Sequence, residues 1–475
     1  MTRQERHGPA DDRPEGEDLV GTDPADAAPT DADPVGAAPT GTDPAGPGPA
    51  PIGSGSVQQP GGRSESALHR PGRRQLLRAG TVGAGTLGVG VAAIGLDRAL
   101  RDPAASATPA GQSGPTLHGE ETIPFHGVHQ AGIETPPPAS ATFLALDLHR
   151  GVDREGIVRM LRLLTDDAAR LTQGRAALAD TEPELAERPS RLTVTAGFGP
   201  GLMERAGREA PRWLAPLPAF SIDALEDHFT GGDLLLQVAA EDPLTVSHAA
   251  RMLLKDVRAF AGVRWVQRGF RRAQGTLAPG TTMRNLFGQL DGSANPQPGS
   301  EHFAKVVWID DGPFAGGTSM VLRRIRMDLD GWDEVDRIAR EKSTGTSLDD
   351  GAPLSGGTET SPADFEAVSD NGFAVIPEFA HMRRANGVDE GEHQEIYRRP
   401  YNYDVPPPAD STALSESGQL FVAFQADLTG QYVPIQQRLA DLDLLNQWTT
   451  PIGSAVFAIP PGCAEGEYLG QAVLA

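Results

Sequence analysis

The sequence predicts an α+β fold made of two ferredoxin-like units. Three observations carry this reading. A chain of 475 residues exceeds one ordinary domain but suits two related units with flanking segments. From Thr142 to Arg268, strand-period and helix-period stretches follow in the order β-α-β-β-α-β, which is the ferredoxin-like arrangement. A similar succession recurs between Phe303 and Ile459.

In the first unit, Thr142–Leu148 reads as a strand. Arg154–Leu171 follows as a helix, with Ile157, Met160, Leu161, Leu164 and Leu171 at helical spacing. Leu192–Phe198 alternates as a second strand, and in Asp233–Ala239 the run Leu234-Leu235-Leu236 implies burial on both faces. Pro243–Ala261 reads as a helix with Pro243 tolerated in its first turn, and Val263–Arg268 closes the unit as a strand. In the second unit, Phe303–Ile309 and Thr318–Met327 read as strands and Trp332–Lys342 as a helix. Gln419–Gln425 is then a strand, Tyr432–Trp448 a helix and Ser454–Ile459 a strand. The polar stretch from Ser343 to about Val405 interrupts this order, and it is too long for a mere connection. Loops of that length are usually functional or disordered.

The N-terminal part is different. Residues 1–70 are dominated by Ala, Pro, Gly, Asp and Thr, with Gly21-Thr22-Asp23-Pro24-Ala25 nearly repeated at Gly41–Ala45. With few large apolar residues they cannot offset their ordering entropy, so this acidic leader is expected to be disordered. Residues 71–107 read as a twin-arginine signal. Arg73-Arg74 precede a charge-free, Gly-rich apolar run from Ala79 to Leu96, and Ala105-Ser106-Ala107 offers a small-residue cleavage site. Gly83, Gly85, Gly88 and Gly90 make the run a poor transmembrane anchor. The signal sits far from Met1, so either a long leader precedes it or translation starts further downstream. The mature part is expected from near Thr108, with residues 108–300 as the N-terminal unit and 301–475 as the C-terminal one.

Charge and cysteine content exclude several function classes. Asp and Glu number 64 against 41 Lys and Arg, a net charge of -23. That argues against nucleic acid or an anionic membrane as partner, since both need clustered cations. A single cysteine, Cys463, excludes disulfides within the chain, thiolate metal sites and iron–sulfur clusters. Any bound metal must be held by histidine or carboxylate.

Two segments carry candidate chemistry. In Phe287-Gly288-Gln289-Leu290-Asp291-Gly292-Ser293-Ala294-Asn295-Pro296, glycines flank a turn from which the Asp291 carboxylate projects. Alone, an Asp-Gly pair is most often only a turn. A calcium loop would need alternating carboxylates, and a phosphate loop a lysine after the glycines. The second segment is Ala380-His381-Met382-Arg383-Arg384-Ala385-Asn386-Gly387, followed by Tyr397-Arg398-Arg399-Pro400. A lone loop histidine is more often packed or exposed than a ligand, yet this one has cationic neighbours.

These segments closely resemble the dye-decolourising peroxidases, whose signature Gly-x-x-Asp-Gly stands here as Gly288 to Gly292. The likeness runs from Phe125 to the C-terminus. It includes Phe125–Ile133, Thr193–Gly201, Gly232–Val238, Leu290–Pro296, the His381 segment, Arg398-Arg399 and Phe457–Gly462. Together with the twin-arginine signal it points to the family's A-type branch, which also holds deferrochelatase-like proteins. The resemblance implies two ferredoxin-like units of the dimeric α+β barrel type, with haem b (heme b) in the C-terminal unit. It implies His381 as the proximal iron ligand, Asp291 as the distal acid–base and Arg398 as the distal arginine, with Arg399 as the alternative one residue on. Gly292, Ser293 and Ala294 match haem-lining positions, as do Asn386, Gly387 and Val388. Relatives often read Ala-Asn-Pro-Arg where this chain has Ala385-Asn386-Gly387-Val388, so a propionate-binding arginine is missing and Arg383 or Arg384 would have to replace it.

The implied reaction is peroxide reduction coupled to one-electron oxidation of a bulky organic reductant. A deferrochelatase releasing iron from haem, or a non-catalytic haem carrier, are the rivals. Implied partners are hydrogen peroxide, the reductant and the twin-arginine machinery, with room for a homo-oligomer. The implied location is extracellular, periplasmic or at the cell envelope. His126 and His129 have His-x-x-His spacing but no third ligand for zinc. His393 reads as a surface residue, and Tyr397, Tyr401, Tyr403 and Trp448 as packing residues. Cys463 reads as inert.

Overall fold

The computed structural model of the protein describes residues 119–475. The leader, the twin-arginine segment and the expected mature start near Thr108 lie outside the described residues. In chain order the elements are β1 (Ser140–Leu148), α1 (Arg154–Leu171), β2 (Thr193–Phe198), α2 (Pro200–Arg205), β3 (Leu234–Ala240), α3 (Pro243–Val257) and β4 (Ala261–Phe270). Then come β5 (Met283–Arg284), β6 (Leu290–Asp291), α4 (Glu301–Val307), β7 (Thr318–Met327), α5 (Leu329–Asp333), α6 (Arg337–Thr344) and α7 (His381–Asn386). The chain ends with β8 (Tyr397–Arg398), β9 (Tyr401–Val405), β10 (Glu416–Gln425), α8 (Val433–Leu442), β11 (Thr449–Ile459) and α9 (Gln471–Leu474).

The fold is α+β, with an antiparallel sheet closed into a barrel. The sheet runs β7-β11-β2-β3-β1-β4-β9-β10-β8, and β7 also pairs with β10, which closes the ring. Long ladders join β2, β3, β1 and β4 to one another, and likewise β11, β7, β10 and β9. Between these two sets the junctions are short: Ala458 with Phe198, and Phe270 with Asn402.

Strand alternation divides the apolar residues between two cores. On β1, Ala141, Phe143 and Ala145 face the barrel interior with Leu235, Trp265, Leu322, Tyr401, Tyr403, Leu420 and Phe457. Leu144, Leu146 and Leu148 point outward, where Ile157, Met160, Leu161 and Leu164 of α1 and Val246 and Leu253 of α3 cover them. The Leu234-Leu235-Leu236 run is buried on both faces, as its sequence implied. Asp153 and Asp242 cap α1 and α3 by accepting from Gly156 and Leu244 N–H groups.

Four readings of the second half are corrected. Phe303–Ile309 is not a strand but mostly α4, because Ser300 caps it by accepting from the Phe303 N–H. Phe303, Val306 and Val307 then lie at i, i+3 and i+4 and bury one face in the barrel. The helix expected at Trp332–Lys342 is two, α5 and α6, since Asp336 takes an extended backbone and caps a new helix at Arg337. The helix expected at Tyr432–Trp448 begins with a π turn at Leu428–Tyr432, and Asp443 ends it by capping a 3-10 turn. The stretch from Ser343 to Val405 is not all loop: it contains α7, β8 and β9.

Candidate active site

The Asp291 turn is built as a small hairpin, with Met283 paired to Asp291 and Arg284 to Leu290. The Asn285 side chain accepts from the Phe287 and Gln289 N–H groups at 3.1 and 3.2 Å and so shapes the turn. Gly288 sits at φ +82° and Gly292 at φ +124°, both in the region that favours glycine. Phe287 anchors the hairpin: its ring lies 4.6 Å from that of Trp332, whose indole N–H donates to the Phe287 carbonyl. The far end is clamped by Asn295. Its side-chain amide donates to the Arg398 carbonyl at 2.7 Å and accepts from the Arg398 N–H at 3.0 Å.

This clamp sets Asp291 opposite Arg398. Arg398 Nη1 lies 3.1 Å from one carboxylate oxygen, and Gln419 Nε2 donates to the other at 2.7 Å. Tyr397 and Leu420 point into the barrel, so their neighbours Arg398 and Gln419 face outward, and the site lies on the outer face of the C-terminal strands. The side chains of Asp291 and Arg398 keep 13% and 24% of their exposure, which leaves room for a small reactant beside them.

His381 is the first residue of α7. Its Nδ1 lies 2.6 Å from Asp443 Oδ2, and Asp443 is almost fully buried. The other oxygen of Asp443 accepts from the Leu445 N–H, and Leu444 N–H donates to the Phe379 carbonyl, which ties this corner to the approach of α7. An ionised carboxylate can only accept, so Nδ1 carries a proton, and in the neutral imidazole Nε2 presents its lone pair. Burial lowers the pKa of His381, but the charge and hydrogen bond of Asp443 more than offset it, and the net shift is upward. The charges of Arg398 and Asp291 also act on His381, so the three predicted residues share one region.

Other predicted residues divide. Arg399 is fully buried in the barrel, bonded to the carbonyls of Ile133 and Thr135, and it is Arg398 that meets Asp291. Arg383 and Arg384 do not stand free for a propionate. Arg383 Nε contacts both oxygens of Asp389 at 3.0 Å, and Arg384 bonds Asp389 at 3.3 Å and Glu390 at 2.6 Å. Ser293 donates to Glu359 at 2.8 Å, while Gly292 and Ala294 flank it on the Asp291 turn. Asn386 ends α7. Gly387, at φ +78°, follows, and a Cβ there would strike the Glu392 carbonyl, so the turn into Val388 needs glycine.

The histidines outside this region have separate partners. His126 lies 3.7 Å from Cys463, whose thiol burial pushes up to about 11, and His129 stacks on Trp308 at 3.8 Å. Exposed His393 contacts the Asn386 carbonyl. Tyr397, Tyr401 and Tyr403 are buried, and half-buried Trp448 packs edge-on against Trp332.

Residues 130–271 match the family described as Dyp-type peroxidase, N-terminal, and residues 282–464 match Dyp-type peroxidase, C-terminal. A dye-decolorizing peroxidase of Thermobifida fusca is 38% identical, over 72% of this chain and 83% of that protein. The chain belongs to the Dyp-type peroxidase family. A DyP-type peroxidase structure from Cellulomonas bogoriensis shares 51% identity at a TM-score of 0.71, covering 75% of this chain and 99% of the other. A deferrochelatase of Shigella boydii is 31% identical, over 87% of this chain and 99% of its own length.

As a Dyp-type peroxidase the chain is a haem-dependent oxidoreductase. Its donor set fits that cofactor. Among the described residues no group of three His, Cys, Asp or Glu side chains could hold a bare metal ion. A single imidazole, oriented through Nδ1 by a buried carboxylate, instead suits an iron whose other ligands come from a macrocycle.

Sequence reasoning missed Gln419 and Asp443. Gln419 had one available signal, its outward place in a strand otherwise rich in apolar residues. Asp443 had none locally, because it meets His381 only through the packing of α8 against α7.

Proposed function

We propose that His381 would hold the haem iron through Nε2 and that Asp291 and Arg398 would act on hydrogen peroxide. The observation that carries this is the Asp291–Arg398–Gln419 cluster, in electrostatic reach of a His381 whose Nδ1 is already taken by Asp443. Haem, when bound, supplies the two electrons that cleave the O–O bond and recovers them singly from a reductant. Asp291 takes the proton from one peroxide oxygen and returns it to the other, which leaves as water. The Arg398 guanidinium stabilises the negative charge that grows on the departing oxygen. Gln419 fixes the carboxylate so that one oxygen stays turned to Arg398. Gly292, Ser293, Ala294, Asn386, Gly387 and Val388 would line the porphyrin, which puts haem in the C-terminal half.

The strand orders β4-β1-β3-β2 and β9-β10-β7-β11 support reading each half as one ferredoxin-like unit. Arg73-Arg74 and the run after them support twin-arginine export to the envelope, the periplasm or outside. Changing both arginines to lysine should leave the protein in the cytoplasm, and unaltered export of that variant would point to another route.

Deferrochelatase action is the second reading, supported by the relative matched along nearly its whole length. A purified holoprotein given one equivalent of peroxide and a bulky phenol or dye separates the two. Oxidised reductant with the haem spectrum restored supports the peroxidase. Release of iron-free porphyrin supports the deferrochelatase.

A further inference from the structure

We infer that the barrel interior holds a small monovalent anion of the halide class, bound by Arg399 with Tyr401 and Arg271 at its side. Arg398 and Arg399 are neighbours on the chain, and alternation sends them to opposite faces of the sheet. Arg398 goes outward to Asp291, and Arg399 goes inward and is fully buried. One Arg399 nitrogen, Nη1, donates to the carbonyls of Ile133 and Thr135. Its Nε and Nη2 find no carbonyl or carboxylate, and the fully buried Tyr401 hydroxyl, which lies against this guanidinium, has no acceptor for its own proton. The Arg271 guanidinium stands 5.8 Å from the centre of the Tyr401 ring, and one of its nitrogens donates to the Pro400 carbonyl. Gln267, on the same interior face of β4 as Trp265, has both amide atoms buried and unpartnered.

Arg399, with half-buried Arg271 beside it, therefore brings guanidinium charge to an interior lined by Phe143, Trp265, Leu322, Leu420 and Phe457, in which Gln237, Gln267 and Arg324 are among the other polar side chains on this face of their strands. Among the described residues no carboxylate bonds to either. Glu241 is engaged by Arg191 and the Ala139 N–H, and Asp291 by Arg398 and Gln419. A buried cation without a counter-charge is strongly unfavourable, whereas buried charges persist when paired and hydrogen-bonded. A carboxylic ligand or phosphate would bring more bulk and further charged oxygens to a site whose free donors belong to one guanidinium and one hydroxyl. A single halide-sized anion accepts from Arg399 Nε and Nη2 and from the Tyr401 hydroxyl, neutralises one charge and leaves the lining intact. Burial lowers the Arg271 pKa and the Arg399 charge lowers it further, against the opposing pull of Tyr401 and Asp291, so the two guanidinium groups repel one another across this space.

Bromide is the probe. Crystals of the holoprotein grown in sodium bromide should give an anomalous peak within hydrogen-bonding distance of Arg399 and Tyr401. In solution, bromide should raise the melting temperature of the wild type beyond that of Arg399→Met at equal ionic strength. Tyr401→Phe keeps the ring in its packing and should weaken bromide about tenfold or more, the effect of losing a hydrogen bond to a charge. It also serves if Arg399→Met does not fold. A barrel filled only by water in the crystal, or a bromide response unchanged by Tyr401→Phe, overturns the inference.

Discussion

Asp443 Oδ2 lies 2.6 Å from Nδ1 of His381, although the two residues are 62 positions apart. That contact leaves Nε2 as the free imidazole nitrogen, so on the proposed ligation both residues should govern haem retention. His381→Ala is expected to lose haem or to hold it weakly with an altered spectrum. Asp443→Asn should keep the ligand but weaken its orientation, lowering haem affinity roughly 10- to 100-fold. Haem content and the ferric spectrum after gel filtration test both, and wild-type values in His381→Ala would reject it as the axial ligand.

Asn295 offers a way to disturb Arg398 without touching it. Its amide makes two hydrogen bonds to the Arg398 backbone, each worth about 0.5–1.5 kcal/mol in a typical fold. Asn295→Ala should cost stability on that scale and slow the peroxide step, while the haem spectrum stays as in the wild type. A slowed reaction with displaced haem would instead show that the clamp supports the cofactor.

Much of this was legible in the sequence, for definite reasons. The first unit was readable because Ile157, Met160, Leu161 and Leu164 repeat at helical spacing and its strands alternate. Asp291, His381 and Arg398 were singled out through the resemblance of their segments to the family, and the structure sets Asp291 against Arg398. Ser300 was the misread signal at α4: a capping serine three residues before the end of a turn outweighed the β-branched Val306 and Val307. The strand β9 was hidden in a polar stretch because only Tyr401 and Tyr403 face the core, and its outer face carries Asn402 and Asp404. Asp443 and Gln419 were out of reach, since their roles exist only after distant elements meet.

Stability should also depend on pH through a carboxyl pair between α1 and α3. Asp256, near the end of α3, has its pKa raised to about 7, by burial first and then by the charge of Asp167 on α1. In the unfolded chain an aspartate ionises near 3.8. Between those values the folded protein binds the extra proton, so this pair makes stability fall as pH rises from about 4 to about 7, with no further loss above. Asp256→Asn removes the penalty. Its melting temperature should exceed the wild type's at pH 8, and the gain should shrink toward pH 4. A gain of equal size at both pH values would show that the pair does not share a proton.

Asp291 and Arg398 are expected to act in one step. Asp291→Asn keeps the size and can still receive the Gln419 bond, but it removes the proton acceptor. Haem should remain, since the change leaves His381, its proposed iron ligand, untouched. Loss of a general base costs about two to four orders of magnitude in rate, and Arg398→Leu should also slow the reaction by removing the charge that meets the departing oxygen. With the two side chains 3.1 Å apart, their effects should not add: the double variant is expected to be less impaired than the product of the single losses. Stopped-flow mixing of each holoprotein with peroxide reads the rate from the haem absorbance. Gln419→Leu supplies the control for geometry, because it keeps both reacting groups but frees the carboxylate to turn, and it should cause a smaller loss than either. Wild-type rates in both single variants would remove the catalytic assignment and leave the cluster a structural ion pair.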